Sequence, residues 1–161
     1  MTKRIFSLGV LLMSMLACFT LSSCGSDNDN EPTTTNVRQS DLTNPWMLIN
    51  AEDTDDNGFS FLAFNSSQVA QAIMSADGNI YDVIISSWEL KDGKLYIGNR
   101  SVGKVEKATQ DGVTVIIING IMYVPSNIDV DGEGTIEDIF THEGITRAQF
   151  WEILVSLSQG N

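Results

Sequence analysis

Five Asx-Gly dipeptides divide the middle of the chain into short segments. They are Asn57-Gly58, Asp77-Gly78, Asp92-Gly93, Asp111-Gly112 and Asn119-Gly120. Each offers the two positive-φ positions of a type I′ turn, whose twist matches that of a β-hairpin. Because they recur within about eighty residues between runs rich in Val, Ile, Phe, Tyr and Trp, the pattern predicts successive antiparallel hairpins.

The runs between these turns predict eight β-strands. They span Trp46–Ala51, Phe59–Asn65, Gln68–Ser75, Ile80–Leu90, Lys94–Gly98, Val102–Thr109, Val113–Ile118 and Ile121–Val124. The fourth run is long enough to need a bend or bulge near Ser86-Ser87. Short consecutive connections favour an up-and-down meander, and a meander avoids exposed edges most simply by closing on itself. We therefore expect a mainly β fold, an antiparallel meander closing into a barrel of about eight strands.

One or two C-terminal helices are expected after the barrel. Thr146 and Gln149 fit a capping box for a helix over residues 146–159. Its apolar stripe comprises Phe150, Ile153, Leu154 and Leu157. A shorter helix is predicted from Thr135 to Gly144, with Asp138 in the first turn. Because the runs 59–64 and 113–118 are apolar on both faces, they need a cover, and the longer helix is expected to supply it or to cap one barrel end.

The start of the chain has the organisation of a bacterial lipoprotein signal. Lys3 and Arg4 precede an apolar stretch from Ile5 to Leu21, and Leu21-Ser22-Ser23-Cys24 reads as a lipobox. An uncleaved membrane helix needs about 20 apolar residues, and this stretch is interrupted by Ser and Thr. We therefore expect residues 1–23 to be a signal peptide and Cys24 to become the acylated N-terminus.

Residues 24–40 are expected to form a disordered acidic tether, because residues 25–36 contain no apolar side chain that could offset the entropy of ordering. Residues 41–161 are then one domain. The Cys-Gly-Ser start followed by Asp27, Asp29 and Glu31 resembles the export signal of Bacteroidetes lipoproteins, and a generic solvated linker is the alternative. The expected location is the outer membrane, with a lipid anchor, and the export signal would place the domain on the extracellular side.

The mature chain would be strongly acidic. Removal of residues 1–23 takes away Lys3 and Arg4 and no acid, which leaves seven bases, 21 acids and a formal charge of −14. Such a chain is repelled by nucleic acid and by anionic headgroups. We therefore expect no nucleic-acid partner, and membrane attachment through the acyl chains alone. Cys18 leaves with the signal peptide, so no disulfide is available within one molecule.

Several segments together resemble one protein family. They are Trp46 at the opening of the first strand, residues 61–65, the run from Ser87 to Leu95 that contains Trp88 and the Asp-Gly turn, and the final strand. Over about residues 44–125 the chain resembles the small lipocalin-like (calycin-like) lipoproteins of Bacteroidetes. Those barrels typically open with Gly-x-Trp, where this chain has Asn44-Pro45-Trp46. The resemblance implies a lipocalin-like barrel that binds a small apolar molecule.

An eight-stranded barrel is just wide enough to hold one small molecule or to be filled by side chains. If it binds a ligand, the candidates for lining the site are Trp46, Phe61, Tyr81, Trp88, Tyr96 and Tyr123. The alternative is a solid barrel that serves as an interaction module, with loops that contact a protein or glycan partner.

A metal site and a catalytic site both have weak support in the sequence. Asp129, Asp131 and Glu133 have the spacing that begins an EF-hand-type calcium loop, but Phe140 stands where the bidentate Glu belongs. An acidic solvated turn is the expected structure, calcium is the alternative, and no other cofactor is expected. His142 is the single histidine, and no nucleophile–base pair, phosphate loop or carboxylate pair has useful spacing. We therefore expect a non-catalytic protein.

Overall fold

Strands dominate the part of the chain that the structure describes. The computed structural model describes residues 33–55, 58–110, 112–129, 132 and 134–160. The strands are β1 (Thr33–Asn36), β2 (Leu48–Asp55), β3 (Gly58–Phe64), β4 (Gln68–Ser75), β5 (Ile80–Lys91), β6 (Lys94–Ile97), β7 (Arg100–Gln110), β8 (Val113–Ile118) and β9 (Ile121–Pro125). The helices are α1 (Gln39–Thr43), α2 (Ile136–His142) and α3 (Arg147–Gln159).

Strands β2 to β9 form a closed ring. Each strand pairs antiparallel with the next along the chain, and β2 also pairs with β9. Ile49 of β2 is therefore opposite Phe61 on one side and Val124 on the other. The expectation of an eight-stranded antiparallel meander that closes into a barrel and is followed by two helices is confirmed. Closure pairs the strand edges that an open meander would expose.

Strand β1 is an additional strand that pairs with β7 of the ring. Thr33 to Asn36 pair with Thr109 to Glu106, on the edge of β7 that β8 leaves free. Strand β6 pairs with the preceding stretch of β7, at Arg100 to Lys104. Both β1 and α1 begin inside residues 24–40, so the ordered chain starts before the predicted domain boundary at residue 41. Three consecutive β-branched Thr residues favour a strand there despite the polar composition.

Two of the predicted turns have the type I′ conformation. Asp92-Gly93 and Asn119-Gly120 each have two consecutive positive φ angles. Gly98-Asn99, between β6 and β7, has the same conformation and was not anticipated. Asp77-Gly78 differs, because only Gly78 has a positive φ. Asn57 and Asp111, from the other two dipeptides, lie outside the described residues.

The irregularity in β5 lies at a different position from the predicted one. Ser86 and Ser87 pair regularly with β4, so a bulge there is not observed. The register shifts opposite Gln71 to Ile73, where Asp82 has a φ of 53°. Asp is one of the few residues that tolerate this left-handed conformation, and the bulge bends the long strand.

Buried side chains occupy both faces of the sheet. The helix-side cluster comprises Met47, Ile49, Ala51, Phe59, Phe61, Ala63, Ala70, Ala72, Met74, Val83, Ala108, Val115, Met122, Val124, Phe150 and Leu154. The hairpin-side cluster comprises Leu42, Leu48, Leu62, Phe64, Val69, Trp88, Leu95, Val105, Ile116 and Ile118. Because neighbours such as Leu48 and Ile49 point to opposite faces of a strand, the two clusters lie on opposite sides of the sheet.

Both C-terminal helices begin with the expected caps. Thr135 and Asp138 form a capping box for α2, and Thr146 and Gln149 form one for α3. The predicted apolar stripe of α3 is only half buried. Phe150 and Leu154 belong to the helix-side cluster, whereas Ile153 and Leu157 are 39% and 37% exposed. Helix α3 packs mainly on β5.

Arg147 fixes the start of α3 to the barrel through carbonyl oxygens. Its guanidinium donates to the carbonyls of Asn44 (2.9 Å), Pro45 (3.3 Å) and Phe64 (3.2 Å), and also to that of Thr43. Thr43 is the last residue of α1, and a cation is favoured at a helix C-terminus. One side chain therefore joins α1, the end of β3 and α3.

Replacing Arg147 with Met is expected to lower the free energy of unfolding by about 2 kcal/mol, because hydrogen bonds from a charged group contribute about 1.5–3 kcal/mol. Urea denaturation followed by circular dichroism measures the change. Arg100→Met, at an exposed position of β7, is the control. Equal stability of the two variants would show that the carbonyl contacts contribute nothing.

Candidate functional site

Four aromatic rings meet where α2 and α3 join the barrel. Trp46 stacks on Phe140 with ring centroids 5.9 Å apart, and it lies 5.9 Å from Phe150. Phe150 is also 5.1 Å from Phe140 and 6.2 Å from Phe61. Such pairs stabilise beyond their buried area by about 0.5–1.5 kcal/mol each. The rings hold both helices in a fixed position on the helix-side cluster.

A polar contact fixes α2 at the same junction. Ser126 is only 1% exposed, and its hydroxyl accepts from the Met47 N–H at 3.0 Å and donates to Glu137 Oε1 at 2.7 Å. The same Glu137 oxygen accepts from the Trp46 N–H at 2.7 Å. Glu137 in α2 thus accepts from groups that lie just before β2 and just after β9, the first and last strands of the ring.

An apolar cleft opens beside this junction, between α2 and the barrel. It is lined by Phe59, Met74, Gly78, Ile136, Ile139, Phe140, Glu143 and Ile145. These residues come from the start of β3, the end of β4, the β4–β5 turn, α2 and the loop before α3. Its volume is about 170 Å³. An apolar cavity of about 150 Å³ holds a benzene molecule, whereas sites for drug-sized ligands begin near 300 Å³.

The chemistry of the cleft is that of a small hydrocarbon site with one charged group at its rim. Seven of its eight lining residues are apolar, and Glu143 alone is ionisable. Glu143 follows the last turn of α2 and is exposed. The cleft can therefore bury an aromatic ring or a short branched hydrocarbon while a polar substituent remains in water near this carboxylate.

Two further carboxylates near the cleft are held in the ionised form. A hydrogen bond from the Ser75 hydroxyl lowers the pKa of Asp77 more than any other contact. Hydrogen bonds from the backbone N–H of Asp77 and from Asn79 lower this pKa further. The backbone N–H and hydroxyl of Thr135 lower the pKa of Asp138 below its usual value. Asp77 precedes Gly78 in the β4–β5 turn, and Asp138 is in α2, so both elements that line the cleft carry a stable negative charge.

A second depression lies between β5 and the end of α3. Asp82, Val83, Ile84, Ile85 and Ser158 line it, and it is open to solvent. Ile84 at its edge is 60% exposed. This surface lacks the enclosure that buries most of a small ligand, so the α2 cleft is the stronger candidate for a binding site.

The six aromatic residues predicted to line a ligand site do not come together. Phe61 is buried in the helix-side cluster with Trp46 packed against it, while Tyr123 packs on the hairpin-side cluster that contains Trp88. The indole N–H of Trp88 donates to the Asn65 carbonyl at 2.9 Å, which is a structural contact.

The other predicted tyrosines lie at the surface, and Tyr123 is affected by burial. Tyr81 is 44% exposed, and Tyr96 is half-buried on β6. Burial and the charges of Glu52 and Asp53 raise the pKa of Tyr123. None of the six lines the cleft. The residues that do were missed, although Ile136, Ile139 and Phe140 have the i, i+3, i+4 spacing of one helical face.

The predicted calcium loop is described only at its first acid. Asp129 accepts from the N–H of Gly132 at 2.7 Å, and Asp131 and Glu133 lie outside the described residues. Across the described ranges, His, Cys, Asp and Glu side chains form no group of three that could hold a metal ion.

The fold and the cleft define the class of this protein: a closed eight-stranded antiparallel barrel with two C-terminal helices, the first of which lines a small apolar cleft. No family model, no curated protein and no solved structure matches the chain. Within residues 33–160, as far as they are described, no helix is long and apolar enough to cross a membrane. Residues 1–32, which include Cys24 and the predicted signal peptide, lie outside the described residues.

Ser126→Ala is expected to lower the free energy of unfolding by about 1–3 kcal/mol, because the buried N–H of Met47 loses its acceptor. Thermal and urea denaturation measure the change. Ser66→Ala, in the exposed β3–β4 loop, is the matched control. A loss no greater than that of the control would show that Glu137 or water satisfies the freed N–H.

Proposed function

We propose that this protein is a non-catalytic, lipid-anchored barrel of the bacterial outer membrane that binds a small apolar molecule in the cleft beside α2. The observation that carries the ligand proposal is the cleft itself, a cavity of about 170 Å³ with seven apolar lining residues. Exposed apolar cavities of this kind are the default position for a ligand.

The packing on both faces of the sheet supports the cleft as the ligand site over the set of aromatic residues expected from the sequence. Phe61 and Trp88, two of the aromatic side chains expected to line a ligand site, are buried in the packed clusters. A ligand in their place would have to displace well-packed side chains, which costs several kcal/mol. The cleft needs no such displacement.

The volume of the cleft limits the affinity. A ligand of about eight non-hydrogen atoms that gains about 0.5 kcal/mol per atom binds with a Kd of about 1 mM. Ligand-observed NMR detects binding in this range, so a neutral aromatic such as 2-phenylethanol is a suitable probe.

Ile139→Trp is expected to abolish saturation transfer to 2-phenylethanol, because the larger ring fills the cleft. Ile153→Trp, at an exposed position of α3, adds the same side chain away from the cleft and should leave the signal unchanged. A thermal melt shows whether each variant folds. As a second test, Ile139→Ala should admit a larger probe, 2-(1-naphthyl)ethanol. Equal binding to both Trp variants would place the probe elsewhere, and no binding to the wild type would contradict the ligand proposal.

The anchor is proposed from the lipobox that ends at Cys24 and from the strongly acidic mature chain, which cannot attach through a basic patch. Two or more acyl chains hold a protein firmly, whereas one holds it only reversibly. Eight residues lie between Cys24 and Thr33, the start of β1, and the nine residue-to-residue steps span at most about 32 Å. The edge of the barrel formed by β1 would therefore stay within that distance of the lipid surface.

Cys24→Ser is expected to remove palmitate labelling and to release the protein from the membrane fraction. Cys18→Ser, which changes the other cysteine of the chain, should retain both. Metabolic labelling and fractionation of expressing cells provide the measurement, and protease treatment of intact cells reports on which side of the outer membrane the domain lies. Palmitate incorporation in the Cys24→Ser variant would contradict the anchor proposal.

A surface interaction module is the second candidate. It is favoured by exposed apolar side chains on β5 and α3, namely Tyr81, Ile84, Ile153 and Leu157. A protein or glycan partner that binds there would be unaffected by Ile139→Trp and weakened by Ile153→Trp, the reverse of the result expected for the cleft.

A further inference from the structure

The one ionisable residue that lines the cleft is acidic. Among the described residues that line the cleft, Glu143 alone carries a charge. It ends α2, where the helix carbonyls add partial negative charge. The hydrocarbon surface of the cleft would take the apolar part of a ligand, and the substituent that reaches the rim would meet a carboxylate.

The same end of the barrel carries further acids. Gly58 pairs with Ser75, so the start of β3 lies beside the end of β4, from which the β4–β5 turn follows. Asp77 adjoins the lining residue Gly78 in the β4–β5 turn, and Asp138 lies in α2, so two elements that line the cleft carry additional negative charge. Carboxylates of one sign near a cleft raise the local concentration of cations.

Four basic residues of the described chain lie on β5, β6 and β7, away from the elements that line the cleft. Lys91 ends β5, eleven residues beyond the Ile80 end that adjoins the cleft, which corresponds to about 36 Å of extended strand. Lys94, Arg100 and Lys104 follow on β6 and on the first half of β7.

Two bases near the helices have other partners, and His142, which precedes Glu143, is exposed and does not line the cleft. The guanidinium of Arg147 is occupied by four carbonyl oxygens. Lys107 forms an ion pair with Asp41 of α1 at 3.0 Å. Among the residues lining the cleft, none is a base that could neutralise Glu143 or receive an anionic ligand.

We propose that the cleft selects hydrophobic monocations: molecules with an apolar body about the size of benzene and one ammonium group, which pairs with Glu143 at the rim. This inference rests on the proposed function, since it requires that the cleft bind an apolar body at all. A neutral isostere keeps the apolar contact and loses the ion pair, and an anionic isostere meets repulsion.

The test compares three probes with one phenyl ring each. They are 2-phenylethylamine, 2-phenylethanol and 3-phenylpropanoate. The protein is the mature chain from residue 24 with Cys24→Ser, which keeps every described residue and avoids detergent in the cleft. Calorimetry and ligand-observed NMR at low salt should give a Kd for the amine about threefold to fivefold lower than for the alcohol, since an exposed ion pair contributes only modestly. The propanoate should bind more weakly than both, and added salt should reduce the differences.

Two variants that remove the same unit charge distinguish the rim contact from net charge. Glu143→Gln should bring the Kd of the amine close to that of the alcohol and leave the Kd of the alcohol unchanged. Glu152→Gln, at an exposed position on α3 outside the cleft, should retain the preference for the amine.

Each outcome has a separate meaning. Equal binding of the amine and the alcohol to the wild type, or an equal effect of the two Gln variants, would overturn the selection of cations and leave the apolar site intact. Failure of all three probes to bind would overturn the proposed function itself.

Discussion

The closing seam between β2 and β9 is the contact on which the rest of the structure depends. Only three residue pairs form this ladder, Leu48 with Pro125, Ile49 with Val124 and Asn50 with Tyr123. Ser126 extends the seam by one step, because its N–H donates to the Met47 carbonyl at 2.9 Å and its hydroxyl accepts from the Met47 N–H. A ladder this short needs reinforcement, and Glu137 supplies it from outside the sheet. Closure of the ring and docking of α2 therefore depend on the same set of hydrogen bonds.

The sheet is apolar on two faces, and this explains why helices follow the barrel. Phe59 and Phe61 point to the helix side, whereas Leu62 and Phe64 belong to the opposite cluster. Closure of the ring encloses one of these faces and the other needs a cover, and Phe150 and Leu154 of α3 pack in the helix-side cluster. Helix α2 covers less of the sheet than α3 does, since none of its residues is fully buried. The cleft lies under this looser cover.

Local chemistry made the eight strands of the ring, two of the turns and both C-terminal helices predictable, whereas β1 was not anticipated. Asn119-Gly120 and Asp92-Gly93 can adopt conformations that most residues resist, and Thr146 with Gln149 needs only its own backbone to cap a helix. The cleft was not predictable, because it depends on contacts distant in sequence, such as that of Glu137 with Trp46. Choosing aromatic residues as ligand contacts failed to identify the cleft for a related reason. Residue type indicates burial, but the face of the sheet is decided by strand register, which separates Phe61 from Trp88.

Strand β1 gives the first residues of the described chain a defined mechanical character. Its four residues run antiparallel to β7, so tension applied at Thr33 acts along the strand and across the hydrogen bonds that join it to Ala108 and its neighbours. All of these bonds share the load in shear rather than opening one at a time. With the lipid anchor proposed above, a pull from the membrane would reach Thr33 first, and the ladder between β1 and β7 would bear it before the ring of β2 to β9.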